Sequence, residues 1–296
     1  MTNTTAGQDS ITASQHTSAS EYGPARTEPA VWWGVALRAV LALAITLVAY
    51  GPALLVVRIP GMDFHDDALA GNWWLVLLKQ CGPLLLVPVA AVLLLMLCTR
   101  WIDKRPFSIT GIRFDRRWLP ALLLGTVISL AVIVPVAVLM TRIGLGDTVT
   151  PSGEPFWVGL LLVLAVGYGM QGITEEFVWR GWFTQSTGGG YHRQALISAA
   201  IFGLIHIASN GGHATFGEGL IYIVHAGAFG YAAAALYFAT GSIWAAVGIH
   251  GGLHLGGTLA AELGALENWA TNLVTLALYI VIGLVVMRRF VARTKV

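Results

Sequence analysis

Gly-Ile-Thr-Glu-Glu-Phe-Val-Trp-Arg-Gly-Trp-Phe, residues 172–183, sets Glu175 and Glu176 side by side within an apolar segment that begins near Phe156. The chain has 15 aspartates and glutamates, and the others fall in the N-terminal tail, in loops or at the ends of apolar segments. Ionisable side chains inside a membrane span are costly; they face a protein interior or a wet cavity and mark functional sites. Composition makes the membrane setting unavoidable. Hydrophobic residues are 56% of the 296 and charged residues 11%, against roughly 25% charged in soluble domains. The apolar runs are about 20 residues or longer, the length of a spanning helix rather than of a barrel strand. The fold class is therefore all-α: a polytopic membrane protein of about eight transmembrane helices enclosing an intramembrane polar cavity.

Working outward, eight candidate spans run about 31–57, 72–98, 118–141, 156–183, 194–210, 218–240, 242–261 and 268–287, the sixth and seventh joined by a tight hairpin at Gly241. Residues 1–30, rich in Ser, Thr and Ala, read as a disordered cytoplasmic tail and lack a signal-peptide pattern. Residues 31–296 form a single transmembrane domain. Loop 99–117 holds Arg100, Lys104, Arg105, Arg113, Arg116 and Arg117, and the C-terminal end holds Arg288, Arg289, Arg293 and Lys295. Loops 58–71 and 142–155 carry mostly acids: Asp63, Asp66, Asp67, Asp147 and Glu154. By the positive-inside rule both termini and loop 99–117 are cytoplasmic. Arg38 and Lys79 lie close enough to span ends to snorkel, and Trp32, Trp33, Trp73, Trp74, Trp118, Trp157, Trp182 and Trp269 lie near span ends as interfacial anchors. Arginine far outnumbers lysine, with abundant Ala, Gly and Val, which is the usage of a GC-rich bacterial genome and points to the plasma membrane. A net charge of +2 without a basic, aromatic-laced patch excludes nucleic acid as a partner. Cys81 and Cys98 share one apolar segment and read as packing residues.

Glu176 and Arg180, four apart with the acid first, share a helix face and suit an ion pair. Glu175 is turned about 100° away and has Trp179, not a cation, at i+4, which leaves it to exchange protons as a general base or acid. Phe202 and His206 share a face, as do His250 and His254, and Gly248, Gly252 and Gly256 make a ladder of small residues that lets a helix or a substrate strand come close. Asn210, four beyond His206, could orient it. His225 lacks a motif and reads as structural. Two chemistries fit: Glu175 activates a water while histidines stabilise the oxyanion, or Glu175, His206, His250 and His254 hold a divalent metal such as zinc. Either is hydrolysis of a peptide bond at membrane depth.

The ordered set resembles the CPBP family, the membrane proteases that include the type II CAAX-prenyl endopeptidases. That family carries Glu-Glu-x-x-x-Arg, then Phe-x-x-x-His, then a late His with Asn or Asp four residues on. Here these are Glu175, Glu176 and Arg180; Phe202 and His206; and His250, with His254 where Asn or Asp is usual. The resemblance covers about 156–262, the protease core. It implies Glu175 as the base, His206 and His250 as oxyanion or water-positioning groups, and Glu176 with Arg180 as the supporting pair. It also implies a membrane-associated protein or peptide as substrate. Imidazole can still donate a hydrogen bond at 254. The alternatives are a non-enzymatic scaffold of the same fold, such as a regulator or bacteriocin-immunity protein, and a proton-coupled transporter, which the lack of internal repeats opposes.

One tension stands. At 1.5 Å per residue Glu175 lies about 28 Å along span four, while His206 and His250 lie about 18 and 12 Å from the inner ends of their spans. The depths meet if span four is tilted or continues past Trp182, and a cavity in the cytoplasmic half is expected. Reporter fusions test the topology: those in loops 58–71 and 142–155 should read extracytoplasmic, and those in 99–117 and at the C-terminus cytoplasmic. A C-terminal fusion reading outside would overturn the orientation.

Overall fold

The computed structural model describes residues 31–56, 58–62, 71–151, 153–208 and 215–294, apart from the side chains of Ala208 and of residues beyond Phe290. The proposed tail 1–30, Asn210 and the acids Asp63, Asp66 and Asp67 lie outside the described residues. Among the described residues eight long helical units follow one another: α1 (Trp32–Val56), α2 (Trp73–Ile102), α3 (Trp118–Arg142), α4 (Phe156–Thr187), α5 (Tyr191–Ile205), α6 (Phe216–Thr240), α7 (Trp244–Glu262) and α8 (Trp269–Thr294). The all-α polytopic class is what the sequence predicts.

Six of the eight are long and apolar enough to cross a membrane; α5 and α7 are not among them. The two exceptions have different causes. The fifth expected span, 194–210, ends as an α-helix at Ile205 and tightens into a 3₁₀ turn at His206–Ala208. Its 15 residues reach about 22 Å at 1.5 Å each, short of the roughly 30 Å hydrocarbon core. Helix α7 has 19 residues but spends its composition on glycine and histidine. It can do so because it touches little lipid: the run from Trp244 to Gly252 is wholly buried.

The glycine ladder explains that burial, and a helix fills it, not a substrate strand. A Cβ on Gly248 would run into the Leu122 carbonyl of α3; one on Gly252 would come 2.9 Å from Ser129 Cβ, and one on Gly256 2.8 Å from Ile133 Cβ. The α3 and α7 backbones therefore meet directly, the close approach that small residues permit in membranes. Elsewhere α6 packs against α5 and α8, and α1 against α2. The outer faces of α1, α2 and α3 present exposed Leu and Val, such as Leu47, Leu78 and Leu123, as surfaces facing lipid do. The α6–α7 hairpin closes on Gly241 in the left-handed conformation, φ 66°, a position glycine fills without strain.

Helix α4 relieves the depth tension. It continues past Trp182 to Thr187 and winds as a π-helix over Leu164–Ile173 and Phe177–Phe183, with a short α segment, Thr174–Glu176, between. A π turn takes more residues than an α turn, so the helix advances less per residue and Glu175 lies shallower than an α-helical count gives. Such windings cluster at functional sites. One expectation is corrected at the base of the bundle. Trp182 is buried, not interfacial, and its indole N–H donates to Asp103 Oδ2 at 2.6 Å. Arg38 ends in an ion pair with the same Asp103, so its reach to the span end has a protein partner.

At the opposite face Asp147–Thr148 (β1) pairs antiparallel with Ala265–Leu266 (β2), and Asn268 Nδ2 donates to the Leu145 carbonyl at 3.0 Å. These bonds tie loop 143–155 to loop 263–268. The α3–α7 contact yields a direct test. Gly248→Val should cost at least the roughly 1–3 kcal/mol of core overpacking, read as a lower Tm and folded yield in detergent. Gly159→Ala, where nothing lies within 4 Å of the added Cβ, should leave both unchanged.

Candidate active site

The two adjacent glutamates face different surroundings, as their 100° offset requires. Glu176 is sealed inside the bundle together with Arg180. Its Oε1 lies 3.2 Å from Arg180 Nη1 and accepts from His250 Nδ1 at 2.8 Å. Two groups from two helices thus share one carboxylate oxygen. The Arg180 contact is an ion pair without an aligned hydrogen bond, and the guanidinium is supported from the other side. It lies 3.9 Å from the centroid of the Phe202 ring, in cation–π geometry. Gly230 of α6 leaves the space that Arg180 Nη2 occupies, where a Cβ would collide with it.

Phe202 has a second task. Its backbone carbonyl accepts from His206 Nδ1 at 2.7 Å, and its ring packs on the His206 ring with centroids 4.5 Å apart. A carbonyl oxygen can only accept, so His206 Nδ1 carries the hydrogen. The same reasoning fixes His250, whose Nδ1 donates to a carboxylate. In both neutral rings the lone pair then sits on Nε2.

Glu175, by contrast, lines a cavity of about 590 Å³ together with His206, His250, His254, Phe202 and Gln171. Its Oε1 accepts from the Tyr50 hydroxyl of α1 at 3.3 Å. His254 stacks on His250, centroids 5.5 Å apart and planes 22° from parallel, and Gly167 of α4 makes room for it: a Cβ there would meet the His254 Cβ at 2.7 Å. Glu175, Glu176, Arg180, Phe202, His206, His250 and His254 are all brought together; Asn210 lies outside the described residues.

The cavity does not sit where the sequence places it. From Glu175, His206 and His250 it runs past His225 and Leu253 to Asp147, Glu218, Glu267 and Trp269. Its mouth therefore lies at the face of loops 143–155 and 263–268, opposite the basic loop 99–117. The expectation of a cytoplasmic-half cavity counted helical depth from inner ends and missed the shortness of α5, which stops level with Tyr222 of α6. Sequence reasoning also missed three lining or supporting residues. Tyr50 sits in a distant apolar span without a motif. His225 lines the cavity, although it was expected to be structural. Glu267 reads from sequence as an ordinary loop-end acid.

Among the described residues no group of three or more His, Cys, Asp or Glu side chains could hold a metal ion. Within the candidate set Glu176 and the Phe202 carbonyl hold the two Nδ1 atoms, which leaves the Nε2 lone pairs of His250 and His206 free.

Glu267 gives a pH-dependent stability. Burial pushes its carboxyl up to about 7, so folding favours the protonated form. That preference costs nothing below the ordinary carboxylate range and destabilises progressively as pH rises through 7. Glu267→Gln, neutral throughout, should raise Tm at pH 8 and leave it nearly unchanged at pH 4. An equal shift at both would contradict the assignment.

Residues 156–256 match the family described as Rce1-like, the type II CAAX prenyl endopeptidase Rce1-like domain. The match opens at the first residue of α4 and closes on the last rung of the glycine ladder in α7, so every residue of the Glu175–His254 set lies within it. No curated protein matches the chain. The chain is a multi-pass membrane protein, and the match of α4 to α7 to the Rce1-like domain supports its membership of the CPBP family.

Proposed function

We propose that the protein is an intramembrane endopeptidase that hydrolyses peptide bonds of membrane-associated proteins or peptides with a water activated by Glu175. The observation that carries this reading is the division between the two glutamates. Glu176 is locked away by Arg180 and His250, whereas Glu175 lines the cavity beside two histidines and a tyrosine.

In the proposed reaction Glu175 takes a proton from water as the water oxygen bonds to the scissile carbonyl carbon. The carbonyl π electrons move to its oxygen. Collapse of that intermediate breaks the C–N bond, and the departing amine nitrogen takes the proton back from Glu175. His206 and His250 present Nε2 lone pairs, so in its neutral form either one can hold the water by accepting its other hydrogen. His254, the residue in the family's Asn or Asp place, is the better donor to the oxyanion: among the described residues nothing fixes either of its ring nitrogens, so one N–H is available. His254→Asn should then retain function where His254→Leu does not.

The positive-inside rule puts the basic loop and both termini in the cytoplasm of a bacterial plasma membrane, and hence the cavity mouth on the extracytoplasmic side. A leader peptide or other small membrane-associated peptide reaching that face is the substrate class this favours.

Two glutamine variants test the reading. Glu175→Gln should lower cleavage by about 10²–10⁴, the scale of general-base catalysis, with Tm unchanged or raised because Gln is cheaper to bury. Glu176→Gln strands the Arg180 guanidinium and should lower Tm and yield as well as rate. Comparing membrane peptides from cells with wild-type and Glu175→Gln protein supplies the substrate. Full cleavage by the Glu175→Gln protein would sink the mechanism, and identical peptide profiles would favour a non-enzymatic scaffold.

A further inference from the structure

The cavity wall carries four acids, Asp147, Glu175, Glu218 and Glu267, and among the described residues no lysine or arginine lines it. Only Glu175 is absorbed by the proposed chemistry. Glu218 also caps α6, its side chain accepting from Thr215 N. Glu267 is different. It is partly buried in the loop that closes onto α7, its Oε1 leaning over Gly257 so closely that a Cβ there would meet it at 2.8 Å, and among the described residues no cation pairs with it. A buried carboxylate without a cation is costly to keep ionised, and burial has pushed Glu267 up to about 7.

An independent observation points the same way. His225, only 5% exposed, lines the same wall, and its buried Nε2 has no hydrogen-bond partner among the described residues. A polar atom buried without a partner calls for a ligand or a water. The rest of the wall sets apolar and aromatic groups, Tyr222, Phe229, Leu253, Leu266 and Trp269, among the amides of Gln171, Asn268 and Asn272. The occupant implied is a peptide with apolar side chains for the aromatic wall, a backbone for the amides, and a positive charge where Glu267 sits.

The position of that charge follows from α7. His250, His254 and Gly257 fall on one face, and seven residues separate the first from the last, about 10 Å at 1.5 Å per residue. An extended peptide covers that distance in about three residues at 3.3 Å each. We propose that the cavity mouth is a cation subsite, in which Glu267, flanked by Asp147 and Glu218, holds the ammonium or guanidinium of a Lys or Arg about three residues from the bond presented to Glu175. The substrate class is thereby narrowed to an apolar peptide segment bearing one nearby basic residue. The subsite rests on the cavity being a substrate site, as the proposed function has it, but not on cleavage itself.

The test uses full-length Glu175→Gln protein in nanodiscs of zwitterionic lipid, so that neither turnover nor lipid charge intervenes. Fluorescent decapeptides of Leu, Ala and Phe carry, at one internal position, Lys, norleucine or Glu. The Lys peptide should bind about tenfold tighter than the norleucine peptide at low salt, and the Glu peptide weaker still, since charge complementarity sets such preferences. Adding Glu267→Gln should remove most of that preference. Asp147→Asn, at an exposed strand position that leaves the fold intact, should remove about two- to threefold. In wild-type protein, sliding the Lys from three to seven residues from the cleaved bond should raise KM about tenfold with kcat little changed. Equal binding of the Lys and norleucine peptides, or a preference that survives Glu267→Gln, overturns the subsite. A Lys preference in binding without cleavage by the wild-type protein overturns the protease reading and leaves the subsite standing.

Discussion

Burying Glu176 against Arg180 and His250 is the constraint on which the site depends. Withdrawing two charges from water costs several kcal/mol per ion, and mutual attraction offsets this only when the geometry is nearly complete. Completion here draws on four helices. Arg180 and Glu176 come from α4, His250 from α7, the ring beneath the guanidinium from Phe202 of α5, and the gap for its Nη2 from Gly230 of α6. Trp179, Trp182 and Phe183 of α4 are fully buried alongside and exclude water from the pair. The cluster therefore fixes the four helices that carry the matched domain relative to one another. It also orients His250 through its Nδ1, so that holding the bundle and aiming the imidazole are one interaction.

The same interaction explains why two adjacent carboxylates are needed. Consecutive residues on a helix point about 100° apart, so a residue beside a locked glutamate must face another compartment. At position 175 that compartment is the cavity. A single glutamate could not both bind Arg180 and exchange protons with a water, because the pair fixes the protonation that catalysis must change. Tyr50 adds one neutral hydrogen bond to Glu175, which orients the carboxylate without fixing its charge.

Much of this was legible in the sequence, and the remainder fails for identifiable reasons. Charge scarcity and span-length apolar runs gave the class. The i, i+4 spacings gave Glu176–Arg180, Phe202–His206 and His250–His254, because helical neighbours are local facts. Tyr50 was invisible because its partner lies 125 positions away. The π winding of α4 changes hydrogen bonding and not composition, so no residue announced it. Trp182 looked interfacial from its place near a span end, but Asp103 from the loop reaches up to its indole. Helix α7 was expected to span by hydropathy, yet it is not among the helices long and apolar enough to cross a membrane; its glycines mark a backbone that must touch α3 and not one that must dissolve in lipid.

The shortness of α5 is the most consequential feature that the sequence concealed. A full span from Tyr191 would continue alongside α6 to its start at Phe216. Instead the α-helix stops at Ile205, with His206 level with Tyr222, and Tyr222 lies six residues, about 9 Å, from that start. Regular helix packing against α6 ends there, and from that level Glu218, Tyr222 and His225 face the cavity. The break in α5 thus places His206 at a helix end, where its Nδ1 can return to the Phe202 carbonyl, and opens the wall above it in the same stroke. A fifth helix of ordinary length would have satisfied hydropathy better and would have packed along the α6 face that now lines the route from the acidic face to Glu175.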